Sequence, residues 1–545
     1  MEFATIRSSV LVSLTACHLP SMPSMLSSSA YLQRAILLVA ALLVLRIVHA
    51  AIFATNPAGD EAYYWDWSRR LDYGYYSKPP GIAWLYAFVD RVLGGSLMAI
   101  RATAALLGTG SLLLLYHLAR ELFDARAAWY ALLLGAAAPA NAVLSFFLTI
   151  DAPLVVCWSA ALVALWRWTS GRVGNGSLAL LFAALSAGHL FKQMMMLFPL
   201  LAILFLATGP GTRPLLRKPG IWAVLLGSYL ALVPPLVWNA RHGWITFRHT
   251  AHHFEGSAEA PTGIGTAVVE RAGEFLSFLG TQFGVLSPGT AFVVLSLCLV
   301  GLPGLLHAPR NLRFLLVFGA LPLAAMLLLA LRQSMQPNWA AVFYVSGLVL
   351  AGAWYAGRVP AFFPPSSWKR LLPWTLAFGI ALSGYFYAAP PFFALLGNAG
   401  HKADPDRRIL GHDRLVAEVE KARLSLADEG EAAFLVVAGH RDLASHLAFG
   451  LPDRPRVYRW DSRPGIHSQY EIWNNPLEDG LVGRNALVLV PLGKLPEEFA
   501  DVFADGAEEA ARFTVSYGAG RDLEFALFLG RDLASWPTPH RITGR

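Results

Sequence analysis

Charged residues are scarce in this chain: they make up 14% of its 545 residues, whereas an ordinary soluble domain carries about 25%. Hydrophobic residues account for 55%, and the mean hydropathy is +0.48. These values exclude a purely soluble protein and indicate that most of the chain contacts lipid. The net charge of +7 does not indicate a nucleic-acid partner, because Arg and Lys lie mostly in short connections between apolar runs, as membrane orientation requires.

Cysteine is also rare, and common functional motifs are missing. Cys17, Cys157 and Cys298 lie too far apart to predict a metal site or a disulfide framework. The sequence contains no GxGxxG or GxxxxGK[ST] motif and no internal repeat, which argues against a nucleotide-driven pump.

Residues 1–30 are rich in Ser and Met and lack a signal-peptide cleavage site. They are interpreted as a disordered extension or as the product of a start codon placed too early.

Apolar runs of about 17–23 residues, the length needed to cross a bilayer, recur along the chain. They predict a polytopic α-helical membrane protein with about eleven transmembrane helices. The runs lie roughly at 33–54, 98–119, 127–147, 152–168, 177–191, 194–209, 220–238, 287–307, 312–331, 339–356 and 371–393. The apolar segment 81–94 is too short to cross, and it is typical of a helix that lies along the membrane interface.

Basic residues predict the orientation of these spans, because cytoplasmic loops carry an excess of Arg and Lys. If the N-terminus is cytoplasmic, each cytoplasmic connection holds at least two basic residues. The outer side then receives the long stretches 55–97 and 239–286, which are rich in acidic, aromatic and His residues. We therefore expect the chemically suggestive groups, and the C-terminal region, on the outer side of the membrane.

The composition changes from apolar to charged at about residue 398. Three strand candidates, AAFLVVAG, NALVLVPLG and DLEFALFLG, and one helix candidate, RDLASHLAFGL, follow within 398–545. This alternation predicts a small α/β domain outside the membrane. It would follow a transmembrane domain over 31–397.

The stretch GDEAYYWDWSRRLDYGYYSKPP at residues 59–80 holds more polar and aromatic side chains than a simple connection needs. Asp60 and Glu61 are candidates for a general base, with helix N-capping as the alternative. Lys78 stands before two prolines that fix its backbone, so its ammonium suits a phosphate; interfacial snorkelling is the alternative. Aromatic residues of this stretch are candidates to line a site for a sugar or a lipid headgroup: Tyr63, Tyr64, Trp65 and Tyr76.

Two further ionisable residues interrupt apolar runs. Asp151 lies at membrane depth, where an ionisable side chain is costly and function is the default hypothesis. N-capping of the following span is a second role for Asp151 and is compatible with the first. Lys192 lies on the outer side and is a candidate phosphate ligand, with snorkelling as the alternative.

The remaining polar candidates lie in two outer connections. Arg241 in NARHGWITFRHTAHHF is a candidate phosphate ligand. A divalent metal is left open, although neither an HExxH motif nor a Cys partner is present. The candidate metal ligands are Glu61, His249, His252 and His253. RQSMQPNWAA places Arg332, Asn338 and Trp339 at the outer mouth of a span, where an arginine suits a phosphate clamp.

Together these stretches resemble the GT-C class of membrane glycosyltransferases. DEAYYWDWSRRLDYGYYSKPPGIAWL is similar to the first outer loop of the bacterial branch of the dolichyl-phosphate-mannose protein mannosyltransferase superfamily, which includes undecaprenyl-phosphate-aminoarabinose lipid A transferases. TIDAPLVVCW resembles the second acidic position of that family, and WNARHGWITFRHT and QPNWAA also look like family stretches. LFKQMMMLFP resembles its lysine motif but lacks the usual Thr or Ser before the lysine and the Tyr after it. The resemblance covers roughly 33–345 and, more loosely, DPDRRILG and SQYEIW.

The resemblance implies a GT-C fold of about 11–13 transmembrane helices with a C-terminal periplasmic α/β domain. It implies an inverting transfer from a polyprenyl-phosphate sugar, with Asp60 as the general base and Asp151 as a second acidic group. Lys78 and Lys192 would bind the donor phosphate. Glu61 would raise the pKa of Asp60 or bind a divalent cation; the sequence does not decide between them.

We expect a bacterial inner-membrane enzyme that acts at the outer face of the membrane, with a cytoplasmic N-terminus and a periplasmic C-terminal domain. Lipid A, lipopolysaccharide or another lipid or glycan is the favoured acceptor, and Ser or Thr of exported proteins is the alternative. A secondary transporter or lipid flippase is the alternative of another class. It predicts inverted repeats and charges at the bilayer midplane, whereas the sequence places its charges towards one surface.

Overall fold

The computed structural model describes residues 27–172, 174–252, 264–359, 366–463, 465–492 and 495–537. The chain forms two compact units. The first comprises Met1–Val48, Ala102–Val233 and His253–Tyr385, and the second comprises His49–Arg101, Pro234–His252 and Phe386–Arg545. Most of the extension predicted over 1–30 lies outside the described residues.

Apolar α-helices make up most of the first unit, and four of them include residues of both units. These helices are Ser28–Phe53, Leu97–Leu122, Ala125–Ala137, Pro139–Leu144, Asp151–Thr169, Gly174–Phe191, Leu197–Thr208, Pro219–Gly227, Val233–Arg241, Ile264–Leu286, Pro288–Gly301, Arg310–Leu315, Leu321–Ala330, Tyr344–Tyr355 and Leu372–Leu395. A π-helix, Leu316–Ala320, joins two of them. Short 3₁₀ turns lie at Gln193–Met196, Arg213–Arg217, Ser228–Leu232, Leu302–Gly304, Pro337–Ala340 and Ser366–Leu371.

Seven helical segments of the described chain are long and apolar enough to cross a membrane, or eight if one bent pair forms a single span. They are Ser28–Phe53, Leu97–Leu122, Asp151–Thr169, Gly174–Phe191, Pro219–Arg241, Arg310–Ala330 and Ser367–Leu395, and the pair is Val268–Leu286 with Pro288–Gly304. The predicted polytopic helical fold is confirmed. Fewer segments pass than the eleven predicted runs, since Pro139 divides the run 127–147 and the run 339–356 forms only the helix Tyr344–Tyr355.

Large apolar side chains and close helix contacts fill the core of the first unit. Trp158 lies edge-on to Phe198, Phe318 and Phe343, with ring centroids 5.0, 6.5 and 5.5 Å away. A Cβ at Gly352 would come within 2.6 Å of the backbone nitrogen of Ala131, so the two helices that carry these residues pack at backbone distance. Interior packing of this kind fixes where the connections at the helix ends lie.

The second unit contains the connection after the first span, the segment 234–252 and the C-terminal region. The α-helices that lie entirely within the second unit are Gly59–Ser68, Gly81–Leu93, Ile245–His252, His412–Asp428, Arg441–Gly450 and Glu497–Ala500. Two 3₁₀ turns lie at Pro405–Arg408 and Gln469–Glu471. The apolar segment predicted to be too short to cross is the helix Gly81–Leu93, whose position along a membrane interface stays a prediction.

The C-terminal region forms the predicted α/β domain, and its five-stranded sheet has the order β2-β1-β3-β5-β4. The strands are β1 Ala433–Ala438, β2 Val457–Trp460, β3 Asn485–Pro491, β4 Ala507–Ser516 and β5 Asp522–Gly530. β1 is parallel to β2 and β3, while β5 is antiparallel to β3 and β4. Leu435 pairs with Val457 and with Leu487, and Val488 pairs with Phe528.

The predicted strands are β1, β3 and β5, and the predicted helix is Arg441–Gly450. The sequence does not predict the two edge strands. β2 has only four residues, and β4 is mostly exposed, so neither shows the continuous apolar pattern of a buried strand.

Candidate active site

Glu61 lies in the first turn of the helix Gly59–Ser68 and is fully buried. One carboxylate oxygen accepts a hydrogen bond from the backbone nitrogen of Ala58 at 2.9 Å, and the other pairs with the guanidinium of Arg101. Arg101 is also buried and donates to the backbone oxygen of Asn56 at 3.1 Å. This arrangement favours a structural role for Glu61, and its part in catalysis or metal binding stays a prediction.

Asp60, the neighbouring carboxylate, has 51% of its side chain exposed. Its Oδ1 accepts a hydrogen bond from Nη2 of Arg441 at 3.1 Å. The adjacent acids therefore lie in different environments, and only the Asp60 carboxylate is accessible from solvent. This difference favours Asp60 over Glu61 as the general base.

Arg441 contacts the candidate base, and the sequence does not predict this contact. It is the first residue of the helix Arg441–Gly450, which follows β1 in the C-terminal domain. The sequence predicts a helix there, but it contains no motif that links this helix to the stretch 59–80. Only the folded chain brings Arg441 to Asp60.

The aromatic residues predicted to line the site are buried. Tyr63, Tyr64, Trp65 and Tyr76 are between 0% and 9% exposed. The hydroxyl of Tyr63 accepts a hydrogen bond from the backbone nitrogen of Gln469 at 2.5 Å, and burial raises the pKa of Tyr63 to about 12. Trp65 lies edge-on to Phe449 at 5.1 Å. These contacts favour a packing role, in which the aromatic cluster fixes the stretch 59–80 on the C-terminal domain.

A buried carboxylate strengthens the same attachment. Asp66 is fully buried, and its Oδ1 lies 2.6 Å from Nη2 of Arg69. Its Oδ2 accepts a hydrogen bond from the hydroxyl of Tyr470 at 2.8 Å. Arg70 covers the ring of Trp473 at 3.7 Å. The helix that carries Asp60 is therefore held by charged and aromatic contacts along its length.

The segment 234–252 packs against the stretch 59–80 within the second unit. Trp238 donates from Nε1 to Oδ2 of Asp72 at 2.7 Å, and the hydroxyl of Thr246 donates to the backbone oxygen of Tyr75 at 2.8 Å. His249 lies 4.7 Å from the ring of Tyr76. Two stretches that the sequence assigns to the same side of the membrane thus contact each other; which side this is stays a prediction.

The predicted cationic ligands of this unit lie in different settings. Lys78 is half-buried, and its backbone oxygen accepts a hydrogen bond from the nitrogen of Tyr75 at 3.2 Å in the turn before Pro79. Arg241 is exposed at the end of the helix Val233–Arg241. Their phosphate-binding roles stay predictions.

The metal candidates do not gather in the described part of the chain. No group of three or more His, Cys, Asp or Glu side chains suited to a metal ion occurs among the described residues. His253 lies outside the described residues, and the side chain of His252 is not described either.

In the first unit, three predicted site residues form one group. Nζ of Lys192 lies 2.7 Å from Oδ1 of Asp151, and Nδ2 of Asn338 donates to Oδ2 of Asp151 at 2.7 Å. Asp151 begins the helix Asp151–Thr169, and Lys192 follows the helix Gly174–Phe191. The sequence proposed each residue separately, and the structure shows them in contact.

The other two predicted residues of this unit are not part of that group of contacts. Arg332 is exposed after the helix Leu321–Ala330. Trp339 is half-buried and packs against the apolar core. The phosphate-clamp role of Arg332 and the substrate-lining role of Trp339 stay predictions.

Comparison with solved structures identifies the architecture. The apo crystal structure of ArnT from Cupriavidus metallidurans matches with a TM-score of 0.59 over 93% of this chain and 100% of that one, at 16% identity. The structure of the same protein bound to undecaprenyl phosphate matches with a TM-score of 0.57 over 93% of this chain and 99% of that one, also at 16% identity. The chain therefore has the fold of a GT-C membrane glycosyltransferase.

Sequence comparisons agree. Residues 77–238 match the family model of dolichyl-phosphate-mannose-protein mannosyltransferases. The lipid A galacturonosyltransferase RgtD of Rhizobium johnstonii is 28% identical over 432 residues, which cover 76% of this chain and 82% of that protein. The resemblance noted in the sequence is confirmed: the chain is similar to GT-C class membrane glycosyltransferases.

Proposed function

We propose that this protein transfers a sugar from a polyprenyl-phosphate donor to lipid A at the outer face of a bacterial inner membrane. Two findings support the substrates. The relative RgtD is named a lipid A galacturonosyltransferase, and the structurally similar ArnT was solved with undecaprenyl phosphate bound. The outer-face location, with a cytoplasmic N-terminus, rests on the distribution of basic residues in the sequence.

The exposure of Asp60 beside the buried Glu61 is the observation on which the chemical proposal rests. Asp60 accepts the proton of the acceptor hydroxyl as that oxygen attacks the anomeric carbon of the donor sugar. The bond between the anomeric carbon and the phosphate oxygen breaks on the opposite face, so the configuration inverts. Polyprenyl phosphate leaves with the electron pair of that bond, and no covalent sugar–enzyme intermediate is formed.

Departure of the phosphate increases its negative charge, so a cation that binds it more tightly in the transition state lowers the barrier. We assign this role to Lys78 and Lys192, with Arg241 and Arg332 as further candidates. Lys192 uses one hydrogen bond to Asp151, and an ammonium has three donors. Asp151 therefore fixes the position of the Lys192 amine, and the other donors of this amine are directed to phosphate oxygens.

The experiment uses the full chain, purified and reconstituted in lipid nanodiscs. Undecaprenyl-phosphate galacturonic acid and lipid A are supplied, and both the release of undecaprenyl phosphate and the modification of lipid A are followed by mass spectrometry. We expect turnover by the wild type and its loss in Asp60→Asn. Full turnover by Asp60→Asn would exclude the proposed mechanism. No turnover by the wild type with this or other polyprenyl-phosphate sugars would exclude the proposed function.

Asp90→Asn is the matched control. Asp90 has 46% of its side chain exposed and lies 3.5 Å from an arginine of the C-terminal domain, Arg454. Asp60 has the same type of environment, with 51% of its side chain exposed and a 3.1 Å pair with Arg441. Both variants remove one exposed carboxylate from one ion pair, and only Asp60→Asn is expected to stop turnover.

A further inference from the structure

The C-terminal domain contributes a charged side chain to the surroundings of the proposed base. Arg441 donates from Nη2 to Oδ1 of Asp60 at 3.1 Å, and its guanidinium lies over the ring of Tyr63 at 4.4 Å. Its Nε lies 3.6 Å from Oδ1 of Asp442. Three neighbours therefore restrict the position of one planar group.

Close packing fixes the backbone on both sides of this contact. A Cβ at Gly59 would come within 2.6 Å of the carboxylate of Asp442, so glycine allows the helix that carries Asp60 to approach the helix of Arg441. His446, one turn further along, lies 3.1 Å from the backbone oxygen of Pro57 through Nε2 and 2.6 Å from that of Asp442 through Nδ1. The base and the arginine are thus held by elements whose relative position is set.

The contact occupies only part of the Asp60 carboxylate. Among the described residues, Arg441 is the only hydrogen-bond partner of the Asp60 carboxylate, and it uses Oδ1. Oδ2 stays available to a substrate hydroxyl, and the side chain is 51% exposed. A guanidinium that holds one oxygen restricts rotation of the carboxylate and orients the other oxygen outward.

We propose that Arg441 is a positioning residue for the glycosyl transfer, through which the C-terminal domain orients the base Asp60. This inference rests on the proposed function and deepens it. A base must lie within hydrogen-bond distance of the proton that it accepts, and a small misplacement of a reacting group costs rate out of proportion to its size. The C-terminal domain is therefore part of the catalytic apparatus.

The test measures kcat and the KM values for undecaprenyl-phosphate galacturonic acid and lipid A in Arg441→Gln and Arg441→Lys. We expect kcat to fall by about 10²-fold in Arg441→Gln, with both KM values within about twofold of the wild type. Arg441→Lys keeps the charge without the planar fork, so we expect an intermediate kcat. A role in substrate binding would instead raise one KM value, and a purely structural role would lower the amount of folded enzyme without changing kcat per folded molecule.

Arg454→Gln is the control. Arg454 also belongs to the C-terminal domain, pairs with Asp90 at 3.5 Å and lies over the ring of Trp65 at 5.2 Å. Its loss removes a comparable ion pair and cation–π contact away from Asp60, so we expect kcat near that of the wild type. Thermal unfolding of each variant reports the fraction folded.

The outcomes separate this inference from the proposed function. A kcat of Arg441→Gln within threefold of the wild type, or an equal loss in Arg454→Gln, would overturn the inference and leave the function intact. If Arg441→Gln does not fold, Arg441→Lys decides: an unchanged kcat overturns the inference. Lack of turnover by the wild type would overturn the proposed function and this inference with it.

Discussion

The amine of Lys192 lies 2.7 Å from one oxygen of Asp151, and the second oxygen of that carboxylate accepts a hydrogen bond from Asn338, also at 2.7 Å. Lys192 and Asp151 have side chains only 12% and 7% exposed. An ion pair with so little access to water is less screened than a surface pair. The Asp151 carboxylate thus offsets part of the cost of burying the Lys192 ammonium, and the proposed function assigns this ammonium to the leaving phosphate.

Lys192→Gln is expected to lower kcat by about 10²-fold, because it removes a cation from the leaving phosphate. Asp151→Asn is expected to have a smaller effect, since it removes the carboxylate that positions the amine but keeps the amine itself. Release of undecaprenyl phosphate in single-turnover reactions measures both. Lys402→Gln is the control, as Lys402 is exposed. An unchanged rate in Lys192→Gln would remove Lys192 from the phosphate site.

The buried pair of Glu61 and Arg101 predicts a stability effect. Arg101→Met leaves the fully buried carboxylate of Glu61 without its cation, and we expect it to lower the free energy of unfolding by about 3–5 kcal/mol. Arg423→Met is the control, since its partner Asp453 has 53% of its side chain exposed, and such pairs contribute about 0.2–1 kcal/mol. Denaturant unfolding followed by tryptophan fluorescence measures both. Equal losses would contradict the structural role of Glu61.

Much of this architecture can be predicted from the sequence, because a helix that crosses lipid requires a long apolar run. Apolar runs predict spans by their length, and turn residues predict the strand–helix alternation of the C-terminal domain. Asp60, Asp151 and Lys192 stood out because charges are rare beside such runs. The sequence predicts more apolar runs than the seven or eight helical segments of the described chain that are long and apolar enough to cross a membrane, since run length alone does not record that Pro139 divides a helix.

The partners of these residues could not be read in the same way. Asp60 and Arg441 are 381 positions apart, and arginines are common on the surface of a soluble domain, so nothing in the sequence distinguishes Arg441. Glu61 and Asp60 are neighbours in sequence, and only burial separates their roles. The aromatic run around Tyr63 is another such case, because tyrosines that pack two elements together and tyrosines that bind a sugar have the same composition.

The stacked histidines of the C-terminal domain predict a pH effect on stability. His412 and His446 stack at 3.6 Å, and burial is the main cause that lowers the pKa of His412 to about 3. In the unfolded chain the pKa is about 6.5, so the unfolded state binds the proton first as the pH falls. The stability contributed by neutral His412 is therefore fully present above about pH 6.5 and is lost below it, by about 2 kcal/mol at pH 5.

His412→Phe isolates this contribution. The variant keeps an aromatic ring but cannot bind a proton, so its stability should fall less than that of the wild type between pH 7.5 and 5. The difference between the two proteins is the quantity to compare, because burial raises the pKa of Asp406 to about 6 and acts in the opposite direction in both. His401→Gln, at an exposed histidine, should keep the pH dependence of the wild type. Parallel curves for wild type and His412→Phe would contradict the assignment.

Gly74→Ala tests the packing that joins the stretch 59–80 to the segment 234–252. A Cβ at Gly74 would lie 2.6 Å from the indole ring of Trp238, which is 4% exposed and donates to Asp72. A buried ring fixed by a hydrogen bond cannot move aside cheaply, so we expect a loss of about 1–3 kcal/mol in unfolding free energy. Gly110→Ala is the control: a Cβ there meets nothing within 4 Å, and alanine in a helix gains about 0.5–1 kcal/mol over glycine. Limited proteolysis followed by mass spectrometry should show faster cleavage of the stretch 59–80 only in Gly74→Ala. Equal cleavage in both variants would show that Trp238 does not anchor this stretch.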